Sequence, residues 1–233
     1  MPRQSRHIRP GLFYHVLNRS AGRTALFRKA ADFAAFLRIV GEAQERFPLR
    51  LVDWCVMSNH WHFVVLPRTK RDTTDFFRWL THTHAMRWRV AHQTVGYGHL
   101  YQGRFKAFAC EEGNALRTVR RYVQRNALTA GLVKRAEDWP YSSLHARLTG
   151  PPELAALLTP EAPRLMRGWT AFVNDAVSRK ELARLRESAQ RGKPFGSEAW
   201  TRRMAKELHV EHTLRGKGRP KKEVGGEKEL RPL

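Results

Sequence analysis

The chain has 233 residues, enough for one domain of ordinary size plus an appendage. It carries 43 Lys and Arg against 21 Asp and Glu, a formal charge of +22, which points to a polyanion as partner, with nucleic acid as the default. No apolar run approaches the roughly 20 residues of a membrane-spanning helix, the N-terminal stretch lacks the apolar centre of a signal peptide, and no Cys-x-x-Cys pair exists to hold zinc.

In chain order, residues 1–11 are basic and read as an extended arm. Residues 12–17 form a short apolar strand, and residues 18–23 a loop. Ala30–Arg46 has Phe33, Phe36, Leu37, Val40 and Ala43 near helical spacing, an amphipathic helix suited to packing on a sheet. Residues 49–57 and His60–Leu66 are the second and third strands, and Ser58-Asn59 between them is hairpin-turn chemistry. The third strand has Val64 and Leu66 on one face and Trp61, Phe63 and Val65 on the other, so the sheet is expected to be covered on both sides. Residues 73–95 read as a long helix, broken by Gly96-Tyr97-Gly98. Residues 104–110 alternate as a fourth strand. Residues 111–128 read as a helix whose acidic start suits the N-terminal dipole, with Gly131 as its stop.

This order matches an α+β, ferredoxin-like (RRM-like) antiparallel sheet, βαββαβ, with two helices on one face and an added helix elsewhere on the sheet. Cys55 and Cys110 stand in apolar strand-like contexts and read as buried reduced thiols of a cytoplasmic protein. Residues 151–158 and 162–186 read as helices and 188–195 as a linker. Residues 197–208 read as a helix capped by Ser197, with Trp200, Met204 and Leu208 on one face. The expected division is a domain over 1–148, a helical extension over 149–190 and a basic DNA-binding tail over 191–233.

Two constellations carry chemistry. In a strand, His60 and His62 point the same way and Trp61 the other, and two imidazoles so placed can grip one divalent cation. Two half-buried structural histidines is the equal competing reading. His82-Thr83-His84 lies in a helix, where residues two apart sit on nearly opposite sides, so both are expected at the surface. In the last helix of the core, Leu116, Val119, Val123 and Ala127 form a core stripe. Tyr122 and Asn126 share a neighbouring face at i, i+4, surrounded by Arg117, Arg120, Arg121 and Arg125. Tyr122 is then either a packing residue or a nucleophile. A phenol with a pKa of about 10 needs a cation or base beside it to react at neutral pH. Gln102-Gly103-Arg104 forms a turn where backbone can approach phosphate, and Tyr97, Tyr101 and Phe105 are candidates for stacking on unpaired bases.

The ordered set Tyr14-His15-Val16, Asn18-Arg19, Met57-Ser58-Asn59-His60-Trp61-His62, Gln102-Gly103-Arg104-Phe105-Lys106, Tyr122 to Asn126 and Trp139-Pro140-Tyr141-Ser142-Ser143 resembles the REP-associated tyrosine transposases. These are single-tyrosine HUH nucleases similar to the transposases of small single-stranded insertion sequences. The resemblance spans about residues 7–146. It implies His60, His62 and Asn126 as ligands of Mg²⁺ or Mn²⁺. It implies Tyr122 as the nucleophile that cleaves single-stranded DNA beside a short hairpin, leaving a 5′-phosphotyrosine link and a free 3′-OH. It further implies a nucleoid-associated bacterial protein, no membrane, and action as a monomer or a homodimer, with Tyr122 working in cis or in trans. The family usually has proline where Ala127 stands, so the helix is expected to continue there. Asn18, Arg19, Gln102, Arg104, Lys106, Arg121 and Arg125 are the expected DNA contacts in the core.

In the tail, Arg215, Lys217, Arg219, Lys221 and Lys222 surround a Gly-Arg-Pro that resembles a minor-groove AT-hook; a basic tail that binds phosphate without sequence preference is the competing reading. Two other classes stand beside the transposase. A non-catalytic RRM-like binder has no need for His60, His62 and Tyr122 to converge. A water-using metal hydrolase needs carboxylates, for which Glu111 and Glu112 are the candidates.

Overall fold

The computed structural model describes residues 8–215, so the expectations for Lys217, Arg219, Lys221 and Lys222 fall outside the described residues. Four strands, β1 (Phe13–Arg19), β2 (Arg50–Met57), β3 (His60–Leu66) and β4 (Lys106–Cys110), form one antiparallel sheet in the order β2-β3-β1-β4. Helix α1 (Ala30–Arg46) follows β1, and α2 (Asp72–Ala91) follows β3. This is the ferredoxin-like plan. The Ser58-Asn59 turn joins β2 to β3 directly, as its chemistry requires.

The pleat separates two apolar clusters. Trp54, Val56, Trp61, Phe63 and Val65 pack with Phe36, Val40, Phe77 and Leu80 of α1 and α2. On the opposite face, Val64, Phe108 and Cys110 pack against Leu116, Val119 and Val123 of α3 (Asn114–Gln124), with buried Ala127 continuing that stripe. A register shift in β2 between Leu51 and Asp53 interrupts the alternation. Leu51 and Trp54 belong to the first cluster, whereas Val52 belongs to the second and Asp53 bonds to α3. The bulge thus aims two successive side chains at the same face.

Both sheet edges are covered. Val56 of β2 donates its N–H to Tyr141 O, and Phe195 pairs with the other edge at Cys110. Trp139 Nε1 donates to Val56 O, and Ser142 caps α5 (Ser143–Leu148). The Trp-Pro-Tyr-Ser-Ser stretch therefore closes the β2 edge.

Several expectations are corrected. His84 is buried, not at the surface: its Nδ1 meets Tyr101 Oη at 2.6 Å, and Trp61 Nε1 donates to the same oxygen at 3.2 Å. His84 lies on the inward stripe of Phe77 and Leu80, so helical spacing itself buries it. Tyr101 and Phe105 are core residues, which leaves Tyr97 as the exposed aromatic of that set. Helix α2 stops at Ala91, short of 95, where Gln93 takes a positive φ of 52°.

Helix α3 starts at Asn114, after the acidic pair. Glu111 instead accepts hydrogen bonds from the N–H and hydroxyl of Ser197, at the N-terminus of α9 (Glu198–Glu207). A one-residue interruption at Arg125 separates α3 from the short α4 (Asn126–Thr129), so the helix continues through Ala127 only as a separate turn.

Beyond α5 and the short α6 (Pro152–Ala155), the chain forms α7 (Trp169–Asn174) and α8 (Arg179–Arg191). Residues 162–186 are thus two helices, and α8 runs into the expected linker because Ser178 starts a fresh capped helix there. Ser197 caps α9 as expected, and Trp200, Met204 and Leu208 join the first apolar cluster.

Candidate active site

The registers of β1 and β3 set the site. Leu17 lies opposite His62 and Asn18 opposite Trp61, so His15, His60 and His62 all belong to the face that packs on α3. His15 Nε2 and His62 Nδ1 are 2.9 Å apart, with ring planes within 10°. The His60 and His62 ring centroids are 4.9 Å apart. Tyr122 of α3 places its ring 5.7 Å from His62 and 6.0 Å from His15, nearly perpendicular to both.

These imidazoles are built to stay neutral. Burial, with Arg19 adding to it, lowers His60 to about 4. Burial drives His62 well below the usual histidine range, with His60, His15 and Arg19 acting in the same direction. Burial alone lowers His15 to about 3. A neutral imidazole is the form that ligates a metal. His60 Nδ1 lies 2.7 Å from Asn59 Oδ1, which fixes that nitrogen as donor and leaves Nε2 its lone pair. His62 Nε2 is buried with no partner among the described residues. In the tautomer in which His62 Nδ1 donates to His15 Nε2, that orphaned nitrogen also carries a lone pair. The donor set thus suits a divalent cation, with two imidazole nitrogens from alternate positions on one face of a strand. Among the described residues, no three His, Cys, Asp or Glu side chains come together as a metal cluster.

A cleft of about 450 Å³ opens beside this cluster. It is lined by Leu17, Asn18, Arg19, His62, Gln102, Gly103, Arg104, Lys106 and Tyr122, and by Arg186, Ala189 and Gln190 of α8. Among the described residues no carboxylate borders it; Glu111 and Glu112 line a different cavity. Burial raises the Tyr122 phenol above its ordinary range, while Arg186 and Arg19 pull it back.

The structure therefore gathers Asn18, Arg19, Gln102, Arg104 and Lys106 around Tyr122 and His62, as expected. Arg121, Arg125, Asn126 and Arg215 are not among the residues that line the cleft. Arg121 donates to the carbonyls of Asp175 and Ala176, and Arg125 to those of Val173 and Asn174. Both close the end of α7 rather than face the cleft. Asn126 does not line the cleft; its Nδ2 donates back to Tyr122 O at 2.9 Å and to Val123 O. Arg215 lies beside the end of α8, where its carbonyl accepts from Arg191.

Sequence reasoning gave no role to His15 and missed Arg186. His15 carried a signal, being two residues from an apolar strand end on the face of the histidine pair. Arg186 carried none, since nothing local in the sequence brings α8 to β1.

The family model described as "Transposase IS200 like" matches residues 9–126, half of the chain. The chain belongs to the IS200-like transposases.

The fold is similar to a solved REP-associated tyrosine transposase bound to a REP hairpin, at 20% identity and a TM-score of 0.52, covering 76% of this chain and 92% of that one. A putative transposase from Deinococcus radiodurans R1 aligns at 17% identity and a TM-score of 0.39, over 53% of this chain and 97% of that one. A tRNA(His) guanylyltransferase from Saccharomyces cerevisiae aligns at 10% identity and 0.43, over 84% of each chain. Both scores are too low to carry an argument. No curated protein matches the chain. Among the described residues no helix is long and apolar enough to cross a membrane.

Proposed function

We propose that this transposase cleaves and rejoins single-stranded DNA beside a short hairpin through a covalent bond to Tyr122. The observation that carries the reading is the approach of the Tyr122 ring to within 5.7 Å of His62, from elements far apart in sequence. In the step, Tyr122 Oη forms a bond to the scissile phosphorus and the bond to the 3′ oxygen breaks. The phenol proton passes to solvent, and the 3′ oxygen leaves as a hydroxyl after gaining a proton. The product holds a 5′ phosphate on tyrosine. A 3′-OH can reverse the step, so bond energy is kept for joining strands, which hydrolysis by water would lose.

His60 and His62 would hold the Mg²⁺ or Mn²⁺ ion. When bound, it supplies charge neutralisation at the phosphate and favours the phenolate. Asn126 donates from Nδ2 to Tyr122 O, which leaves its Oδ1 as the third protein ligand the ion would take; DNA oxygens and water would fill the rest. Asn59 and His15 orient the two imidazoles. Arg19, Arg104 and Lys106 provide positive charge along the cleft for the DNA backbone. Gln102 presents its amide beside the strand, and Asn18, bonded to Gly103 O and Arg19 N–H, holds the turn that shapes the cleft.

The RRM-like reading is disfavoured because α3 covers the sheet face on which such domains stack bases, and Phe108 is buried beneath it. Among the described residues the cleft offers no carboxylate to a water-using hydrolase.

The test is covalent trapping. A labelled hairpin oligonucleotide with a single-stranded extension, taken from beside the protein's own gene, is incubated with Mn²⁺ and run on a denaturing gel. The expected result is a metal-dependent adduct that disappears with Tyr122→Phe and with His60→Ala. Cleavage that persists in Tyr122→Phe contradicts the proposal.

A further inference from the structure

Helix α8 lies wholly outside residues 9–126, the segment shared with the family model. It nevertheless forms one wall of the cleft, where Arg186, Ala189 and Gln190 stand opposite the His62 and Tyr122 side. Positions i, i+3 and i+4 share one helix face, so a single face of α8 meets the site.

The helix is firmly seated. Leu185 and Ala189 are buried in the second apolar cluster. Thr118 of α3, four residues before Tyr122, donates to Glu181 at 2.9 Å. Lys106 Nζ at the start of β4 donates to Gln190 O at 3.3 Å. The placement of Arg186 is thus set by packing on the tyrosine helix and on the sheet.

Arg186 also differs from its neighbours on α8. Arg184 donates to Gly196 O, and Arg191 to Arg215 O. Among the described residues, the Arg186 guanidinium makes no hydrogen bond or ion pair, and its side chain is exposed at the cleft. It also holds the Tyr122 phenol lower than burial alone would, as Arg19 does from β1. A second cleft of about 410 Å³, between residues 102–107 and Gln190–Gly192, adjoins the first and shares five of its lining residues, including Lys106 and Gln190. A strand lying at Tyr122 can leave along it.

We propose that Arg186 is a phosphate ligand of the strand-transfer site: its guanidinium grips the non-bridging oxygens of the phosphate attacked by Tyr122, so that the C-terminal extension completes a site the shared segment leaves open. The inference rests on the Tyr122 reading. Arg186 exchanges no proton and breaks no bond. It acts by charge and by paired N–H donors, which arginine presents in a fixed fork. The negative charge on the phosphate grows as Tyr122 attacks, so the contact strengthens during the step.

The test compares the full chain with Arg186→Ala, Arg186→Lys and Arg179→Ala. The last removes the same charge from the far end of α8. The first readout is binding of a labelled hairpin oligonucleotide with a single-stranded extension across a salt series. The second is the rate of adduct formation at saturating DNA. Arg186→Ala is expected to make the slope of log K against log salt shallower by about 0.7, one phosphate contact to single-stranded DNA. It is also expected to slow the adduct at least tenfold, with partial recovery in Arg186→Lys. Arg179→Ala is expected to leave the adduct rate unchanged.

If Arg186→Ala matches Arg179→Ala in both readouts while the wild-type chain forms the adduct, the Arg186 proposal is overturned and the Tyr122 reading stands. If the wild-type chain forms no adduct but Arg186→Ala still loses salt slope, the Tyr122 reading falls and the phosphate contact is upheld.

Discussion

Asp53 and Arg120 form an ion pair buried beneath the helix that carries Tyr122, with side chains 0% and 3% exposed. Gln124 Nε2 and Ser143 Oγ donate to the other Asp53 oxygen at 2.6 and 3.2 Å. Trp169 Nε1 donates to Gln124 Oε1, and Arg120 also donates to Pro163 O. Arg120 and Gln124 flank Tyr122 in sequence, so this network bolts the tyrosine helix to the bulge of β2. Removing one partner strands a buried charge. Asp53→Ala is expected to destabilise the protein by roughly 3–5 kcal/mol in urea unfolding. A loss under about 1 kcal/mol contradicts the role given to the network.

The same network holds Tyr122 beside His62 of its own chain, the arrangement that cleavage in cis requires. Mixing Tyr122→Phe with His62→Ala is therefore expected to yield no adduct beyond background. Recovery of adduct on mixing would mean that the tyrosine works on the histidines of a second copy.

His15 is buried beside His62, stacked on it and hydrogen-bonded to it. His15→Phe keeps the ring volume and its edge contact with Phe108, at 4.9 Å between centroids, but removes the hydrogen-bond partner of His62 Nδ1. Mn²⁺ affinity measured by calorimetry is expected to fall by about 10–100-fold with the fold retained. Unchanged affinity would remove His15 from the account.

The buried His84 gives a pH dependence. Burial lowers it from the ordinary 6.5 of histidine to about 3, with Asp32 opposing and His92 adding to the shift. Between those values the unfolded chain binds a proton that the folded chain does not. The stability contributed by neutral His84 is therefore complete above about pH 7 and is lost as pH falls from 6.5 toward 3, at up to about 1.4 kcal/mol per unit. His84→Gln keeps an acceptor for Tyr101 without the titration. From pH 7 to pH 5 the wild-type chain is expected to lose about 2 kcal/mol more than this variant. Equal losses would contradict a neutral buried His84.

The contrast between what was legible and what was not follows from locality. Helix α1 and the β2–β3 hairpin were readable because spacing and turn chemistry act over a few residues. The core stripe of Leu116, Val119 and Val123 was readable for the same reason. The partners of Arg121 and Arg125 were not, because the carbonyls they serve lie about fifty residues downstream. A basic helix looks alike in sequence whether its arginines face DNA or close a neighbouring helix. Asp53 sits in an apolar strand as an apparent misfit, and only the bulge and Arg120, 67 residues away, account for it. His60, His62 and Tyr122 came from the ordered motif set, and their approach in space is what the fold adds.

The most direct measurement is to map the trapped adduct. The wild-type chain is reacted with the hairpin oligonucleotide and Mn²⁺, digested with nuclease and trypsin, and analysed by mass spectrometry. The account predicts a nucleotide remnant joined through its 5′ phosphate to Tyr122, on the peptide that ends at Arg125. A remnant on Tyr97, Tyr141 or any other residue, or joined through a 3′ phosphate, would contradict it.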